Sequence, residues 1–408
     1  MCVWTLPRLN LPIIEYSSVK SISIFKMSQT MNFKKLDIHP ALLESISSNS
    51  FKKPTAIQVQ AIPIIQQGRD ILGIAKTGSG KTASFAIPIL DKLLSNPSSE
   101  RGRAPKVLVL VPTRELAVQV SQVFDDLSKN LPTKIKSLVV YGGVSINPQM
   151  KGMMGVEILI ATPGRLLDLH RSNAVHLSKV EILVLDEADK MLNRGFQEEM
   201  ESVLALLPRK RQNALFSATL SEQLSSINKV LLNEPALVKI ENKEDDIELI
   251  NLFGYFVSEE RKGPFLRYLI KEEKMSQVLV FTSSGNKADK VASKLNKNGI
   301  QALSIHGKKS QSARMNALDR FKSGNLLVLV ATDLISRGID INDLPYVINY
   351  ELPRSPKDFV HRVGRTGRAN SSGKAISFVT RNETHHLKVI LKKIKRYMDI
   401  IDSEEINF

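Results

Sequence analysis

Short apolar runs alternate with longer amphipathic stretches along most of this chain. In the first half the runs are Val107 to Val111, Leu138 to Tyr141, Ile158 to Ala161, Ile182 to Leu185 and Ala214 to Phe216. Continuous runs of this length are typical of parallel strands that are buried on both faces. The amphipathic stretches between them can supply the crossover helices that parallel strands require. The pattern therefore predicts an α/β fold with mostly parallel sheets flanked by helices.

The same alternation occurs twice, which predicts two domains. A length of 408 residues exceeds what one ordinary core supports. A charged stretch over 241–249 interrupts the pattern, and the apolar runs then resume at Leu252 to Val257, Val278 to Thr282, Ala302 to Ile305, Leu326 to Ala331, Tyr346 to Asn349 and Ala375 to Val379. We expect a first domain over 31–240, a linker over 241–249, a second domain over 250–383, and a basic helix with a short tail over 384–408.

Residues 1–30 do not share this pattern. Pro7, Pro12 and Glu15 interrupt any apolar core, and no small-residue cleavage site follows, so the segment is a poor signal peptide. We expect it to be disordered or to precede the true start, at Met27 or Met31. An amphipathic targeting segment is the open alternative. Because no apolar run approaches about 18 residues, we expect no membrane segment.

The stretch Ala75 to Thr82 reads AKTGSGKT and lies between a predicted strand, Ile71 to Ile74, and a predicted helix, Ala83 to Leu94. Small residues at such a turn let backbone N–H groups converge on phosphate oxygens. Lys81 can reach the terminal phosphates, and Thr82 can offer its hydroxyl to Mg²⁺. Ala75 replaces the glycine of the strict pattern, so a glycine-rich turn with an exposed lysine is the alternative. The context favours a phosphate-binding loop.

Polar or small residues follow the predicted strands at their C-terminal ends, where open α/β sheets bind ligands. In the first domain these are Pro112 to Ala117, Gly142 and Gly143, Thr162 to Arg165, Asp186 to Asp189, and Ser217 to Thr219. In the second they are Gln311 to Arg314, Ala331 to Asp340, and His361 to Arg368. The motifs are scattered in sequence, but this position on the sheets predicts that they converge in space.

Several of these residues have the chemistry of nucleotide hydrolysis. Asp186 suits a partly hydrated Mg²⁺, and Glu187 can orient or deprotonate the attacking water. Arg365 and Arg368 are spaced i, i+3 and could face one γ-phosphate, which would require the two domains to close. The alternatives are a solvated acidic turn and a basic helix that contacts only water or nucleic acid. Gln58 has the amide donor and acceptor needed to read an adenine edge.

The charge balance indicates a polyanionic partner. Lys and Arg number 57 against 41 Asp and Glu, which gives a net charge of +16 and a pI near 9.7. A basic surface kept for solubility is the alternative. With aromatic residues at 6%, contacts to phosphate and sugar should outweigh base stacking. The single cysteine, Cys2, excludes disulfides within the chain and cysteine-based zinc sites, and it favours a reducing cytosol.

The ordered set of these motifs resembles that of the DEAD-box ATP-dependent RNA helicases, and its nearest branch is the bacterial RhlE-like group. The resemblance covers about Met31 to Thr380. It implies two tandem RecA-like domains with ATP and Mg²⁺ in the cleft between them and RNA across both. Lys76 stands where the family commonly has glutamine, Ser50 where a glycine is frequent, and Leu334 to Ser336 where smaller residues are usual.

The resemblance also implies a role for each matching residue. Nucleotide binding would use Phe33, stacked on adenine, and Gln58, Ala75, Lys76, Thr77, Gly78, Ser79, Gly80, Lys81, Thr82, Gly338 and Asp340, the last two near the ribose. Catalysis would use Lys81, Asp186, Glu187, Arg365 and Arg368, and Asp189, Ser217, Thr219 and His361 would couple hydrolysis to domain movement. RNA would contact Pro112, Thr113, Arg114, Gly142, Gly143, Thr162, Pro163, Gly164, Arg165, Thr282, Gln311, Arg314 and Thr332, mostly through its backbone.

These expectations lead to two functions of different classes. The first is an ATPase that locally separates short RNA duplexes by clamping and bending one strand. The second is an RNA clamp or annealing chaperone whose ATP use only times its release. A processive DNA translocase is disfavoured because no strand-separating insertion is visible. We expect a cytoplasmic monomer that binds RNA largely without regard to sequence, with proteins of ribosome assembly or of RNA decay as open classes of partner.

Overall fold

The structure is a computed structural model that describes residues 32–49, 51–76, 78–97, 102–192, 196–218, 231–240, 250–333, 341, 344–367 and 373–406. Within these ranges the chain forms two seven-stranded sheets, one in each half. Every neighbouring strand pair in both sheets is parallel. The α/β class and the parallel sheets predicted from the apolar runs are confirmed.

The first unit has the strand order β3-β4-β2-β5-β6-β1-β7. Its strands are β1 (Ile71–Ile74), β2 (Val107–Leu110), β3 (Ser137–Val140), β4 (Ile158–Ala161), β5 (Ile182–Asp186), β6 (Gln212–Ser217) and β7 (Ala236–Lys239). Its described helices are α1 (Pro40–Ser48), α2 (Ala56–Gln66), α3 (Lys81–Ser95), α4 (Arg114–Ser128), α5 (Asn147–Gly152), α6 (Pro163–Arg171), α7 (Ala188–Met191) and α8 (Gln197–Ala205).

The second unit repeats this plan with the order β10-β11-β9-β12-β13-β8-β14. Its strands are β8 (Ile250–Phe256), β9 (Val278–Thr282), β10 (Ala302–Ile305), β11 (Val328–Thr332), β12 (Tyr346–Asn349), β13 (Gly373–Val379) and β14 (Asp399–Asp402). Its described helices are α9 (Lys262–Glu272), α10 (Gly285–Lys297), α11 (Gln311–Lys322), α12 (Pro356–Val363) and α13 (Thr384–Ile394).

Each sheet separates two apolar layers. Successive side chains of a strand point to opposite faces, so Val107 and Val109 join one cluster of the first unit and Leu108 and Leu110 join the other. All four residues of β2 are buried for this reason. The helices that cover both faces leave only the strand ends accessible, and the first unit can therefore bind ligands at an edge of its sheet.

Two edge strands were not predicted from the sequence. β7 alternates buried and exposed residues, and β14 has no buried residue, so neither forms a continuous apolar run. β14 pairs with β8 from Asp399 to Asp402. The sequence analysis placed helix α13 and β14 beyond a domain that ends at 383. The structure instead pairs β14 with the second sheet and packs α13 on the same unit. The linker over 241–249 lies outside the described residues and stays a prediction.

Among the described helices, none combines the length and the apolarity that crossing a membrane requires.

Glu351 joins two strand ends of the second unit. Its Oε2 accepts hydrogen bonds from the Ser283 N–H and hydroxyl, each at 2.7 Å, and its Oε1 lies 2.6 Å from Lys287 Nζ. Ser283 follows β9, Lys287 lies on α10 and Glu351 follows β12. Burial by itself would raise the pKa of Glu351, but the Lys287 ammonium and the Ser283 donors outweigh it and hold the pKa below its usual range. The fold therefore favours the carboxylate form.

We expect a Glu351→Gln variant to lose about 1 kcal/mol of unfolding free energy near pH 7, because a neutral amide replaces a hydrogen-bonded charge. A depressed native pKa stabilises the fold above the unfolded pKa of about 4.3, and this stabilisation is lost as the pH falls through the native value. The difference between the two proteins should therefore shrink below about pH 4. Urea unfolding followed by far-UV circular dichroism measures it, since the sole tryptophan, Trp4, precedes both sheets.

The matched control is Glu272→Gln, on the exposed side of α9, which should change the free energy by less than about 0.5 kcal/mol at any pH. A Glu351→Gln deficit of the same size at pH 7 and below pH 4 would contradict the role assigned to the carboxylate.

Candidate active site and nucleic-acid interface

The predicted phosphate loop does connect β1 to α3. Gly80 precedes the first residue of α3 and has a φ of +93°, a conformation that favours glycine. Lys81 is buried, and its Nζ donates a hydrogen bond of 2.8 Å to the Ala75 carbonyl. The Lys81 ammonium therefore lies within the loop, at the helix N-terminus where an anion is stabilised. Lys76, Gly78, Ser79 and Thr82 complete the described part of the loop.

Gln58 contacts this loop through its amide. Its Nε2 donates to the Gly80 carbonyl at 3.1 Å, and its Oε1 accepts from the Thr55 N–H at 2.9 Å. Thr55 and Gln58 form the capping box of α2, so one side chain joins the start of this helix to the phosphate loop. A Cβ on residue 80 would lie 2.5 Å from Gln58 Nε2, which explains the glycine. The spacing Thr-x-x-Gln predicts this capping box, and the sequence analysis missed it.

Phe33 lies in a short 3-10 turn and is only 5% exposed. It belongs to the apolar cluster of the first unit that also contains Ile38 and Ile57. Stacking of Phe33 on adenine stays a prediction.

Asp186 and Glu187 lie where β5 ends, beside the phosphate loop. Asp186 is buried, and its Oδ1 accepts a hydrogen bond of 2.9 Å from the Glu187 N–H. Burial raises the pKa of Asp186 to about 6, although the Lys81 charge opposes the shift and the Glu187 charge adds to it. The charges of Lys81 and Asp186 therefore interact at this edge of the sheet. A cation and a carboxylate near each other are what a site for triphosphate and Mg²⁺ requires.

The backbone at Glu187 is strained. Its φ of +56° and ψ of +45° lie in the left-handed region, where a residue with a Cβ is uncommon and costs about 1 kcal/mol. This conformation turns the chain sharply from β5 into α7. Strain of this kind concentrates at functional sites, and Glu187 is the residue to which the sequence assigns the attacking water.

The donor set fits Mg²⁺. A buried carboxylate with a raised pKa is stabilised by a divalent cation, and the Thr82 hydroxyl lies on the first turn of α3. Within the described part of the chain, no group of three or more His, Cys, Asp or Glu side chains could hold a metal by itself. Mg²⁺ commonly binds through one or two carboxylates with phosphates and waters as the other ligands, which agrees with this sparse set.

Lys190 contacts Glu187, a pairing that the sequence analysis missed. Its Nζ lies 2.6 Å from Glu187 Oε2, one helical turn away. Burial lowers the pKa of Lys190, and the positive charge of Arg365 lowers it further. Arg365 belongs to the second unit, so this interaction shows that it lies close to the acidic motif of the first unit. The role of Arg365 at the γ-phosphate stays a prediction.

Arg362 is only 1% exposed and anchors α12, the helix that ends two residues before Arg365. Its guanidinium donates to both oxygens of Asp333, at 2.5 and 2.7 Å, to Asn349 Oδ1 at 3.1 Å and to the Glu351 carbonyl at 2.7 Å. It also lies over the Phe281 ring, 5.0 Å from the centroid. These contacts join α12 to the ends of β9, β11 and β12. The sequence analysis quoted Arg362 within its motif without giving it a role.

The remaining coupling residues lie around the same edge. Ser217 ends β6, and its carbonyl accepts from the Ala75 N–H at 3.0 Å, so β6 contacts the phosphate loop. Asp189 lies in α7 and is 9% exposed, and His361 lies on α12. Thr77, Thr219, Gly338, Asp340 and Arg368 lie outside the described residues, and their roles stay predictions.

The predicted RNA contacts include three helix N-termini. α4 begins at Arg114 after Thr113, α6 begins at Pro163 after Thr162, and α11 begins at Gln311. Thr113 Oγ1 caps α4 by accepting from the Leu116 N–H at 3.3 Å. Such N-termini attract phosphate groups. Pro112, Thr282 and Thr332 lie at the C-terminal ends of β2, β9 and β11, at the same sheet edges.

Arg114 and Gly143 lie against each other in the first unit. Gly143 has a φ of +76°, and a Cβ there would collide with the Arg114 guanidinium. Gly142 precedes it directly. Arg165 is buried, and its Nη2 donates to the Val144 carbonyl at 2.9 Å, while its Nη1 has no hydrogen-bond partner within the described residues. Gly164 lies beside Glu199, whose Oε1 would be 3.2 Å from a Cβ. The sequence-predicted residues of this half are thus brought together.

Arg314 makes a direct contact between the two units. Its Nε lies 2.9 Å from Glu115 Oε1, and both side chains are 6% exposed. Its Nη2 donates to Gln311 Oε1. Burial and the neighbouring Arg114 lower the pKa of Arg314, and Glu115 opposes that shift. Arg314 was predicted to contact RNA, and the structure places it in an ion pair that holds the units together beside Arg114.

We expect an Arg362→Met variant to destabilise the second unit by about 2–4 kcal/mol, because the buried Asn349 amide and the Glu351 carbonyl would lose their donor and the half-buried Asp333 carboxylate would lose a charged partner. Differential scanning calorimetry should show one of two transitions shifting to lower temperature, as two units need not unfold together.

The control is Lys357→Met, an exposed lysine on the same helix, which should leave both transitions in place. Equal effects of the two variants would contradict the structural role of Arg362.

Comparisons with known proteins agree with this geometry. The sequence profile of the DEAD/DEAH box helicases matches residues 55–227, and that of the helicase conserved C-terminal domain matches residues 261–370. The DEAD-box ATP-dependent RNA helicase CshA of Bacillus cereus is 39% identical over 376 residues, which cover 92% of this chain and 70% of the relative. The probable ATP-dependent RNA helicase DDX47 of Homo sapiens is 39% identical over 88% of this chain and 77% of its own length.

Solved structures match both units together. The structure of S. cerevisiae Dbp5 bound to RNA and ADP BeF3 has a TM-score of 0.79 and 30% identity, and the match covers 92% of this chain and 96% of that one. The two parallel sheets are therefore tandem RecA-like domains. By its motifs, its fold and its relatives, the chain belongs to the DEAD-box family of ATP-dependent RNA helicases.

Proposed function

We propose that this protein hydrolyses ATP to ADP and phosphate and couples hydrolysis to local, non-processive unwinding or remodelling of short RNA duplexes and RNA–protein complexes. The observation that carries the proposal is the contact between the two domains, in which Arg314 Nε of the second lies 2.9 Å from Glu115 Oε1 of the first, beside the charge of Arg365 that acts on Lys190. Domain closure would then bring Arg365 to the γ-phosphate, so the ATP cycle would be linked to whatever lies across both domains.

The catalytic roles follow from charge and position. Lys81 would bind the terminal phosphates, and Glu187 would orient or deprotonate the attacking water. Arg365 and Arg368 would stabilise the negative charge that builds on the γ-phosphate, an effect worth about 10³ to 10⁵ in rate for such arginines. Thr82 and Asp186 would hold Mg²⁺, partly through water, and the cation would neutralise charge on the β- and γ-phosphates. Gln58 and Phe33 would select adenine.

RNA binding would use the helix N-termini and arginines at the sheet edges of both domains. The partners are phosphate and 2′-hydroxyl groups, so recognition is largely independent of sequence. Closure of two domains on one strand bends that strand away from A-form stacking, and the opposite strand is released. The structure of Dbp5, which matches 92% of this chain, is bound to RNA and ADP BeF3, and this supports a fold that holds both kinds of ligand.

Further proposals concern the biological setting. We assign the chain to the RhlE-like branch on its motif residues, and we propose a cytoplasmic monomer. Ribosome assembly is supported by a relative named ATP-dependent rRNA helicase rrp3, from Sclerotinia sclerotiorum, which is 41% identical over 354 residues. RNA decay is the other open pathway, and protein partners from either would fit the basic surface.

We expect a Glu187→Gln variant to lose RNA-stimulated ATP hydrolysis by at least about 100-fold while it retains ATP and RNA binding, because the amide keeps the size of the side chain and removes the base. Steady-state hydrolysis with single-stranded RNA, single-stranded DNA or neither measures the loss, and a short RNA duplex reports unwinding.

In the wild-type protein RNA should stimulate hydrolysis and DNA should not. A rate of ATP hydrolysis that is the same with and without RNA would contradict the coupled cycle. RNA-stimulated hydrolysis without strand separation would instead support the alternative, an RNA clamp or annealing chaperone.

The ion pair between Glu115 and Arg314 predicts an interaction between two variants. We expect Glu115→Arg and Arg314→Glu each to reduce RNA-stimulated hydrolysis by at least about tenfold, because each creates a like-charge contact at the closed interface. The double variant should regain part of the activity, since the attraction is restored with reversed sign. If the two losses of activity simply multiply in the double variant, the pair does not stabilise closure.

A further inference from the structure

The C-terminal basic helix is a feature that the proposed helicase cycle does not use. The stretch from 384 to 397 contains Lys388, Lys392, Lys393, Lys395 and Arg396 and no acidic residue. Its helix α13 packs on the second domain through Leu387 and Ile390, which are buried. The four lysines are all exposed, and within the described residues none of them lies within 4.0 Å of a carboxylate. Arg396 differs, because its Nη2 donates to the Ile250 carbonyl at 3.2 Å.

The lysines occupy the part of the helix surface that the domain leaves exposed. Lys388 and Lys392 are four residues apart and lie on one side of α13, and Lys393 lies on its other exposed flank, one turn after the buried Ile390. Lys395 follows where the helix ends, with a φ of +54°. Tyr397 comes two residues later and is 80% exposed. Three lysines thus lie on the last two turns of α13, and a fourth lysine and an accessible aromatic ring follow directly after the helix.

The position of α13 relates this surface to the proposed RNA site. β13 ends at Val379, and α13 begins at Thr384, so the helix starts near the sheet edge at which Thr282 ends β9. The contact between His386 Nε2 and the Pro353 carbonyl, 2.8 Å, places the loop before α12 beside the start of α13. Arg354 in that loop and Lys357 on α12 are also exposed. The exposed positive charge therefore runs from the proposed RNA edge along α13 toward the opposite edge of the sheet, where Arg396 contacts Ile250 at the start of β8.

We propose that Lys388, Lys392, Lys393, Lys395 and Tyr397 form a second RNA-binding surface, which holds the backbone of a strand that continues beyond the helicase cleft. The inference rests on the proposed function, because the cleft must already hold RNA. The lysines contact successive phosphates, and Tyr397 stacks on a base, the combination typical of single-strand binding without sequence preference. A membrane does not fit, since the apolar face of α13 is already buried against the domain.

A length-dependent binding experiment tests this surface. The variant replaces the four lysines by glutamine in the full chain, and a second variant carries Tyr397→Ala. The matched control replaces four other exposed lysines of the second domain, Lys271, Lys290, Lys294 and Lys297, by glutamine, for the same change in net charge. Each protein is titrated with single-stranded RNA of about 8 and about 24 nucleotides, lengths that fill a cleft or extend beyond it.

We expect the α13 variant to bind the long RNA at least about tenfold more weakly than the control variant, and the short RNA equally well. The slope of log affinity against log salt concentration for the long RNA should fall in magnitude by about 3, from four contacts at about 0.7 each. Tyr397→Ala should weaken the long RNA without changing the slope. ATP hydrolysis without RNA should be unchanged in all variants.

Equal affinity of the α13 and control variants for the long RNA would overturn the proposal, and an acidic protein would then be the better candidate partner. A wild-type chain that does not bind the short RNA would count against the proposed function instead, so the two failures are distinguishable. Circular dichroism of each variant reports whether it is folded. If the fourfold variant folds poorly, the affinity of Tyr397→Ala for the long RNA tests the proposal by itself.

Discussion

The guanidinium of Arg362 is an ionised group buried where the strands of the second domain end, and the geometry of the active site depends on it. Burying such a charge is costly unless it is paired and fully hydrogen-bonded. Asp333, Asn349 and the Glu351 carbonyl meet that need; the first follows β11, and the other two lie at the end of β12 and just after it. The pairing thereby fixes α12 on the sheet edge. Because Arg365 follows one turn after Arg362, its approach to the first domain is set by the same contacts.

Across the cleft, attraction and repulsion occur side by side. Glu115 and Arg314 attract each other at 2.9 Å, whereas Lys190 and Arg365 are two cations whose charges oppose each other. A phosphate group between the two cations would turn that repulsion into two attractions. Nucleotide and closure are then thermodynamically linked, since whatever favours one favours the other to the same extent.

The sequence predicted those features that local pattern determines. Strands buried on both faces give continuous apolar runs, so β1, β2, β4, β5 and β9 were found within a residue or two. β7 and β14 were missed, because an edge strand needs no such run. The capping box of Thr55 and Gln58 was visible in the spacing, whereas the pairing of Arg362 with Asp333 joins residues 29 positions apart, and only the folded topology brings them together.

The position of β1 between β6 and β7 determines when the nucleotide site can form during synthesis of the protein. β1 carries the phosphate loop, yet it pairs with β6 and β7, which come much later in the chain. Asp70 and Asn213, which hydrogen-bond beside this junction, are 143 positions apart. At about 5–20 residues per second, a ribosome needs roughly 7 to 30 s to cover that distance. The nucleotide site therefore cannot form while the first domain is being made, and it is completed only when nearly all of that domain has been synthesised.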